Sequence, residues 1–145
     1  MRPPGSLTYE VLGGHKVLGK EPSSSADFVT IVRRGLPFAS LEHTRAALNI
    51  SQAELVEAVG VPRRTLARRR KERRLSVWES ERLVRLARVY ARAMDVLGEQ
   101  DRASGWLRRP NRALGKVAPL SLLDTDIGTD AVLAVLGRIA HGVFG

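Results

Sequence analysis

The residues best suited to bind another molecule are eight basic side chains within residues 62–74. A single acid, Glu72, lies among them. Positive charge at that density either pairs with a polyanion or forms a strongly solvated helix. An arginine guanidinium can bridge the O6 and N7 atoms of a guanine or clamp a phosphate, so double-stranded DNA is the partner we expect first. The basic residues are Arg63, Arg64, Arg68, Arg69, Arg70, Lys71, Arg73 and Arg74.

Two short helices about a glycine must position these side chains. Ser51 followed by Glu54 predicts a capping box at the start of one helix, which Gly60 ends. Pro62 suits the first position of the next helix, because proline lacks the amide hydrogen that would be unpaired there. Two short helices about a tight turn, the second of them basic, outline a helix-turn-helix.

A rotation of about 100° per residue decides which basic side chains reach DNA. Leu66 is the one large apolar residue in the basic stretch, so we expect it to face the core. The opposite direction falls between Arg64 and Arg68, which are therefore the first candidates for groove contact. Further candidates for phosphate or base-edge contact flank them or begin the preceding helix, namely Lys71, Arg63, Arg69, Thr65, Ser51 and Gln52.

Anionic lipid, RNA and a merely solvated face are the alternatives for this basic helix. Lipid fits less well, because only Leu66 offers an apolar side chain for insertion. A single helix of this length contacts only a few base pairs, so we expect a homodimer on paired half-sites. The apolar face of residues 25–37 is either the dimer seam or part of the core.

The net charge of +9 is concentrated in the middle of the chain, with +2 for residues 1–39, +6 for residues 40–98 and +1 for residues 99–145. The 145 residues include no cysteine and only three scattered histidines, His15, His43 and His141, so we expect no disulfide, metal or other cofactor. The chain has no apolar run of membrane-spanning length and no apolar signal core at its start. We expect a cytoplasmic protein with no membrane partner.

The pattern predicts an all-α fold in three parts. Residues 1–24 are rich in glycine, proline and serine and are predicted to form mostly a flexible arm, although residues 7–12 could pair as a strand. Residues 25–98 are predicted to form the DNA-binding and dimerisation domain, closed by a long helix from the capping box of Ser76 and Glu79 to about Leu97. Residues 99–145 form shorter helical pieces and a last helix from about Thr129 to His141.

Four arginines on the long helix form a stripe beside its apolar face. We expect this stripe to be a solvated surface, with contact to phosphate or to an acidic partner as the alternative reading. The stripe consists of Arg82, Arg85, Arg88 and Arg92.

No arrangement of residues in the chain predicts catalysis. Residues 14–20, GHKVLGK, are one residue short of a phosphate loop, and Glu21 stands where Ser or Thr would hold magnesium. Asp124 and Asp126 are better explained as acids at the start of the last helix than as metal ligands, because negative charge is favourable at the amino end of a helix. We therefore expect a binding protein and not an enzyme.

The second half of the chain closely resembles the toxin-binding domain of the Xre/MbcA/ParS antitoxins. The resemblance rests on four segments in the same order and spacing: ASGWL at 103–107, PNRALG at 110–115, PLSLLDT at 119–125 and GRIAHG at 137–142. Upstream, RTL at 64–66 with the following arginines and SERL at 80–83 resemble the helix-turn-helix of that family, so that residues 25–145 are covered. The family commonly has two glycines after the Ala-Leu pair, whereas this chain has Gly115 and Lys116.

The resemblance implies an antitoxin that pairs with a RES-domain toxin, an enzyme that destroys NAD, within a larger hetero-oligomer. It also implies that the antitoxin represses its own promoter by binding operator DNA and plugs the active-site cleft of the toxin with its carboxyl-terminal end. Carried onto this chain, the plug comprises Arg138, His141, Gly142, Val143, Phe144 and Gly145. The alternative is a stand-alone repressor whose carboxyl-terminal domain only oligomerises.

Overall fold

The computed structural model describes residues 5–142. Over that range the chain forms nine α-helices, two 3₁₀ turns and no β-strand, which confirms the all-α prediction. The helices are α1 (Ser6–Val11), α2 (Gly14–Leu18), α3 (Ser25–Arg34), α4 (Ala39–Leu48), α5 (Gln52–Val59), α6 (Arg63–Glu72), α7 (Val77–Leu97), α8 (Gln100–Arg108) and α9 (Asp126–Ala140). The 3₁₀ turns, Arg112–Leu114 and Pro119–Leu122, lie between α8 and α9.

Helix α7 is the centre of the fold, with α1, α3, α4, α5, α8 and α9 packed around it. Its capping box is formed as predicted: Ser76 Oγ accepts a hydrogen bond from the Glu79 amide, and the Glu79 carboxylate accepts one from the Ser76 amide. Gly98 ends the helix with a φ of 89°, in the left-handed region. The buried apolar face of α7 consists of Leu83, Leu86, Ala87, Val89, Tyr90 and Ala93.

The helix-turn-helix prediction is confirmed in α5, the turn at Gly60 and α6. The predicted capping box between Ser51 and Glu54 opens α5. Pro62, predicted as the first helical residue, is instead the N-cap of α6, which begins at Arg63. Leu66 is buried, as expected from its position on the wheel.

Several helix starts differ from the sequence prediction because a neighbouring side chain provides the cap. Helix α3 is capped by Ser24, whose Oγ accepts a hydrogen bond from the Asp27 amide. Helix α9 begins at Asp126 instead of Thr129, because Thr125 Oγ1 accepts from the Gly128 amide. The last helix is thus three residues longer at its amino end than predicted.

The prediction of a flexible arm over residues 1–24 is wrong for its described part from Ser6 to Leu18, which folds as α1 and α2. The strand expected at residues 7–12 is wrong too. Tyr9 and Leu12 lie three positions apart on one face of a helical turn, and both are buried, with Leu12 fully excluded from solvent. Helix α1 packs against α4 and α7, so this segment is part of the core.

Helix α3 is the least covered of the longer helices. None of its ten residues is fully buried, although Phe28 and Ile31 pack against the core. Val29 remains 44% exposed. The apolar face of residues 25–37 is therefore shared between core and solvent.

None of the helices between residues 5 and 142 has the length and apolarity needed to cross a bilayer. The same residues contain no group of three or more potential metal ligands. Residues 14–18 form the short α2 where a phosphate loop would need extended glycine-rich backbone.

Candidate functional site

The outer face of α6 carries the basic side chains that the helical wheel selected. Arg64, Arg68 and Lys71 are exposed on the side away from buried Leu66, and Arg63 is exposed on the flank. Arg68 makes a long, exposed ion pair with Glu72, with Nε and Oε1 3.8 Å apart. The others make no ion pair with residues 5–142. This face presents mobile positive charge of the kind that contacts a nucleic-acid backbone.

Arg69 is placed differently from its neighbours. Its Nε donates to Glu79 Oε1 at 2.7 Å and its Nη1 donates to Glu72 Oε2 at 2.8 Å. The side chain of Arg69 is only 19% exposed. A guanidinium engaged in this way fixes the rotation of α6 against α7, so we treat Arg69 as a positioning residue.

The partner of Arg69 is a buried carboxylate. Burial acts to raise the pKa of Glu79, but the hydrogen bonds from Arg69 and from the Ser76 amide outweigh it, so the pKa lies below its usual range. The hydrogen bonds to Glu79 and then Glu72 raise the pKa of Arg69 in turn. The sequence predicted Glu79 as a capping residue, but its bond to Arg69 of α6 could not be predicted without the tertiary structure.

The remaining DNA candidates lie around the start of α5 and the first turn of α6. Ser51 and Gln52 are exposed, and Thr65 is half-buried. Ser51 Oγ is already the acceptor for the Glu54 amide, which leaves its hydroxyl hydrogen available as a donor. The structure thus brings Ser51 and Gln52 to the exposed amino end of the helix that precedes α6.

One face of α8 is bonded to the junction between α4 and α5. Gln100 Nε2 donates to the Ala47 carbonyl at 2.6 Å, and Ser104 Oγ donates to the Leu48 carbonyl. Arg108 Nε donates to Glu54 Oε2 at 2.8 Å. These side chains recur every four residues and so share one side of the helix.

The bond from Arg108 reaches the capping box of α5. Burial acts to raise the pKa of Glu54, but the hydrogen bonds from Arg108 and the Ser51 amide hold that pKa below its usual range. The same carboxylate therefore caps the helix that carries Ser51 and receives a bond from the second half of the chain. Sequence reasoning missed this contact, since 54 residues separate the partners.

Arg82 holds the turn between α5 and α6. Its Nη1 donates to the carbonyl of Gly60 at 2.9 Å, and its guanidinium lies 3.7 Å from the ring centroid of Trp78. The sequence placed Arg82 in a solvated stripe, whereas here it supports the helix-turn-helix. The Trp78 to Arg82 spacing of one helical turn is the only local signal that could have indicated the stacking.

The carboxyl-terminal candidates lie at the end of α9. Arg138 and His141 are exposed, and Gly142 has a φ of 74°, in the left-handed region. Helix α9 is held against α7 by buried Val132 and Leu136. Val143, Phe144 and Gly145 lie outside the described residues.

The turn after the first 3₁₀ turn contains Lys116, where the family commonly has a second glycine. Gly115 has a φ of 75° and Lys116 a φ of 67°, so two consecutive residues adopt the left-handed conformation. The Lys116 amide donates to the Asn111 carbonyl at 2.8 Å, which closes the turn. A glycine would adopt this φ without the strain that lysine bears, yet the chain forms the turn with Lys116.

Comparison with known families assigns both halves of the chain. Residues 27–88 match a family described as the antitoxin Xre-like helix-turn-helix domain. Residues 92–142 match the antitoxin Xre/MbcA/ParS C-terminal toxin-binding domain. The boundary between the two matches falls within α7.

Individual proteins are similar over most of their length. Antitoxin Xre of Yersinia enterocolitica is 34% identical over 129 residues, which cover 88% of this chain and 87% of that protein. Antitoxin Xre of Photorhabdus laumondii is 32% identical over 88% of both chains. A Prs ADP-ribosylating antitoxin of a Sphingobium species is 30% identical over 84% of this chain and 83% of its own length.

The bond between Arg69 and Glu79 predicts a specific pH dependence of stability. A glutamic acid in the unfolded chain has a pKa of about 4.3. Because the folded-state pKa of Glu79 is lower, its contribution is complete above that pH and is lost as the pH falls through the folded-state pKa. We expect Glu79→Gln to lower the free energy of unfolding by about 1–3 kcal/mol at neutral pH.

Urea unfolding across a pH series measures this effect, with Glu57→Gln on the exposed face of α5 as the matched control. The difference between Glu79→Gln and the natural chain should shrink in acid, while the control stays close to the natural chain throughout. A difference that is the same at every pH would contradict the role given to the carboxylate.

Proposed function

Because this chain belongs to the Xre family of antitoxins and has both its helix-turn-helix domain and its toxin-binding domain, we propose that it neutralises a RES-domain toxin and represses its own promoter. The observation that carries the proposal is the presence in one folded chain of an exposed basic face on α6 and an exposed end on α9. One surface suits nucleic acid and the other suits a protein partner.

For DNA, we propose that α6 enters the major groove with Arg64 and Arg68 nearest the bases. Arg63 and Lys71 contact phosphates, and Ser51, Gln52 and Thr65 contribute from the start of α5 and the first turn of α6. Arg69 keeps α6 in place through Glu79. Two copies bind as a homodimer to the half-sites of an operator, within a larger complex that includes the toxin.

For the toxin, we propose that the end of α9 and the residues after it cover the active-site cleft. The surface comprises Arg138, His141 and Gly142 and continues through Val143, Phe144 and Gly145. Neutralisation of this kind is steric and needs no catalysis by the antitoxin. Support for a toxin that consumes NAD comes from the name of the Sphingobium relative, because ADP-ribosylation uses NAD as its substrate.

The same proposal assigns one function to each of two domains. Residues 25–98 form the DNA-binding and dimerisation domain, and residues 99–145 form the toxin-binding domain. The two share packing along α7 and the bonds from α8, so they are one folded unit with two functional ends.

The DNA face is tested with Arg64→Ala combined with Arg68→Ala. Each lost contact of this kind costs about 1–3 kcal/mol, so we expect operator affinity to fall by about 100-fold or more in a mobility-shift assay at about 150 mM salt. The matched control, Arg109→Ala with Arg112→Ala, removes the same charge from exposed sites outside α6. Operator affinity equal to that of the control would refute the assignment of this face.

The toxin surface is tested by deleting residues 142–145. Since Gly142 is exposed and follows the last helix, the deletion removes no buried side chain among the described residues. We expect cells that express the toxin encoded beside this gene to lose protection, while the purified variant keeps its helical content and its operator binding. Full protection by the shortened chain would exclude the plug.

A further inference from the structure

A small cleft between α7 and α9 is lined by three arginines. Arg85, Arg88 and Arg92 follow one another at three and four residues along α7, so they project to the same side. Val89, Thr129 and Leu133 complete the lining, and the carboxylate of Asp126 lies beside it, bonded to Arg85. The cleft has a volume of about 330 Å³, near the lower end of the ~300–1,000 Å³ found for small-molecule sites. We call it the arginine cleft.

Arg85 in this cleft has donors without acceptors. Its Nη1 donates to Asp126 Oδ1 at 2.7 Å, and its side chain is 18% exposed. Its Nε and Nη2 are buried and have no hydrogen-bond partner within residues 5–142. A buried donor left unpaired is destabilising, and more so when the group is charged. The structure therefore contains a charged group that lacks two acceptors.

The two unpaired donors form one edge of the planar guanidinium. An edge of this kind binds two oxygens of a carboxylate or phosphate at once. Arg88 and Arg92 make no ion pair with the described part of the chain, so both remain available to the same anion. The geometry is that of an oxyanion site with three cationic contacts.

The balance of charge favours phosphate over carboxylate. Three guanidinium groups line the cleft, Asp126 is paired with one of them, and Asp95 and Asp130 lie on the wider depression around it. A phosphate monoester carries about −1.5 to −2 charges at neutral pH, whereas a carboxylate carries one. The cleft lies between α7 and α9, and its volume of about 330 Å³ is sufficient for a phosphate group.

We propose that the arginine cleft binds the terminal phosphate of a small phosphorylated molecule. The anion reaches Nε and Nη2 of Arg85 when that side chain turns away from Asp126. This motion costs little, because Asp126 is 90% exposed and an exposed ion pair contributes little to stability. The bound phosphate contacts the arginines of α7 beside Thr129 of α9.

Titration of the full chain with inorganic phosphate tests the proposal, with acetate at the same ionic strength for comparison. Binding is measured by calorimetry and by the melting temperature Tm, which should rise by about 5 °C at ten times the dissociation constant. We expect Arg88→Gln, a change at an exposed side chain, to weaken phosphate binding by about 10-fold. Asp126→Asn should strengthen it several-fold, because the competing carboxylate is removed.

The control is Arg112→Gln, which removes an exposed charge outside the cleft and should bind phosphate like the natural chain. Equal phosphate affinity in all three variants would overturn the proposal. Acetate that binds as well as phosphate would overturn the choice of ligand. Phosphate binding that survives Arg88→Gln but is lost in Arg64→Ala with Arg68→Ala would place the anion on α6 and would equally overturn it.

Discussion

The orientation of the basic helix α6 depends on one buried carboxylate. Glu79 is 5% exposed, and its Oε1 accepts hydrogen bonds both from Arg69 of α6 and from the Ser76 amide at the start of α7. A charge in such a position must be paired, because an unpaired one costs several kcal/mol. The pairing sets α6 at a fixed rotation on α7, with Leu66 inward and the neighbouring arginines outward. One side chain thus caps the central helix and orients the basic face.

The two matched domains are joined by hydrogen bonds at the helices for which DNA binding is proposed. From α8, Arg108 reaches the capping box of α5, and from α7, Arg82 holds the carbonyl of Gly60 in the turn before α6. The first helix of the reading pair is therefore held at both ends by residues outside it. Arg108 therefore connects α8 directly to the amino end of α5.

Helix caps and buried helix faces could be predicted from the sequence, whereas contacts between residues distant in the sequence could not. The capping boxes of Ser51 and Ser76 and the inward face of Leu66 depend on residues three or four positions apart, so periodicity and side-chain type predicted them. The contacts of Arg69, Arg82 and Arg108 depend on tertiary packing, and the wheel placed Arg69 and Arg82 among solvent-facing charges. Glycines around residues 7–18 suggested flexibility, whereas burial of Tyr9 and Leu12 against α7 folds that segment. The predicted plug, from Arg138 to Gly145, stays a prediction throughout.

The central claim is that DNA and toxin occupy different surfaces of one chain, the outer face of α6 and the end of α9. The most direct measurement is analytical ultracentrifugation of labelled operator DNA mixed with this chain and the toxin proposed to pair with it. We predict a single sedimenting species that contains DNA, antitoxin and toxin together, because neither surface covers the other. Toxin that displaces the chain from operator DNA at every ratio of the two proteins would contradict the claim.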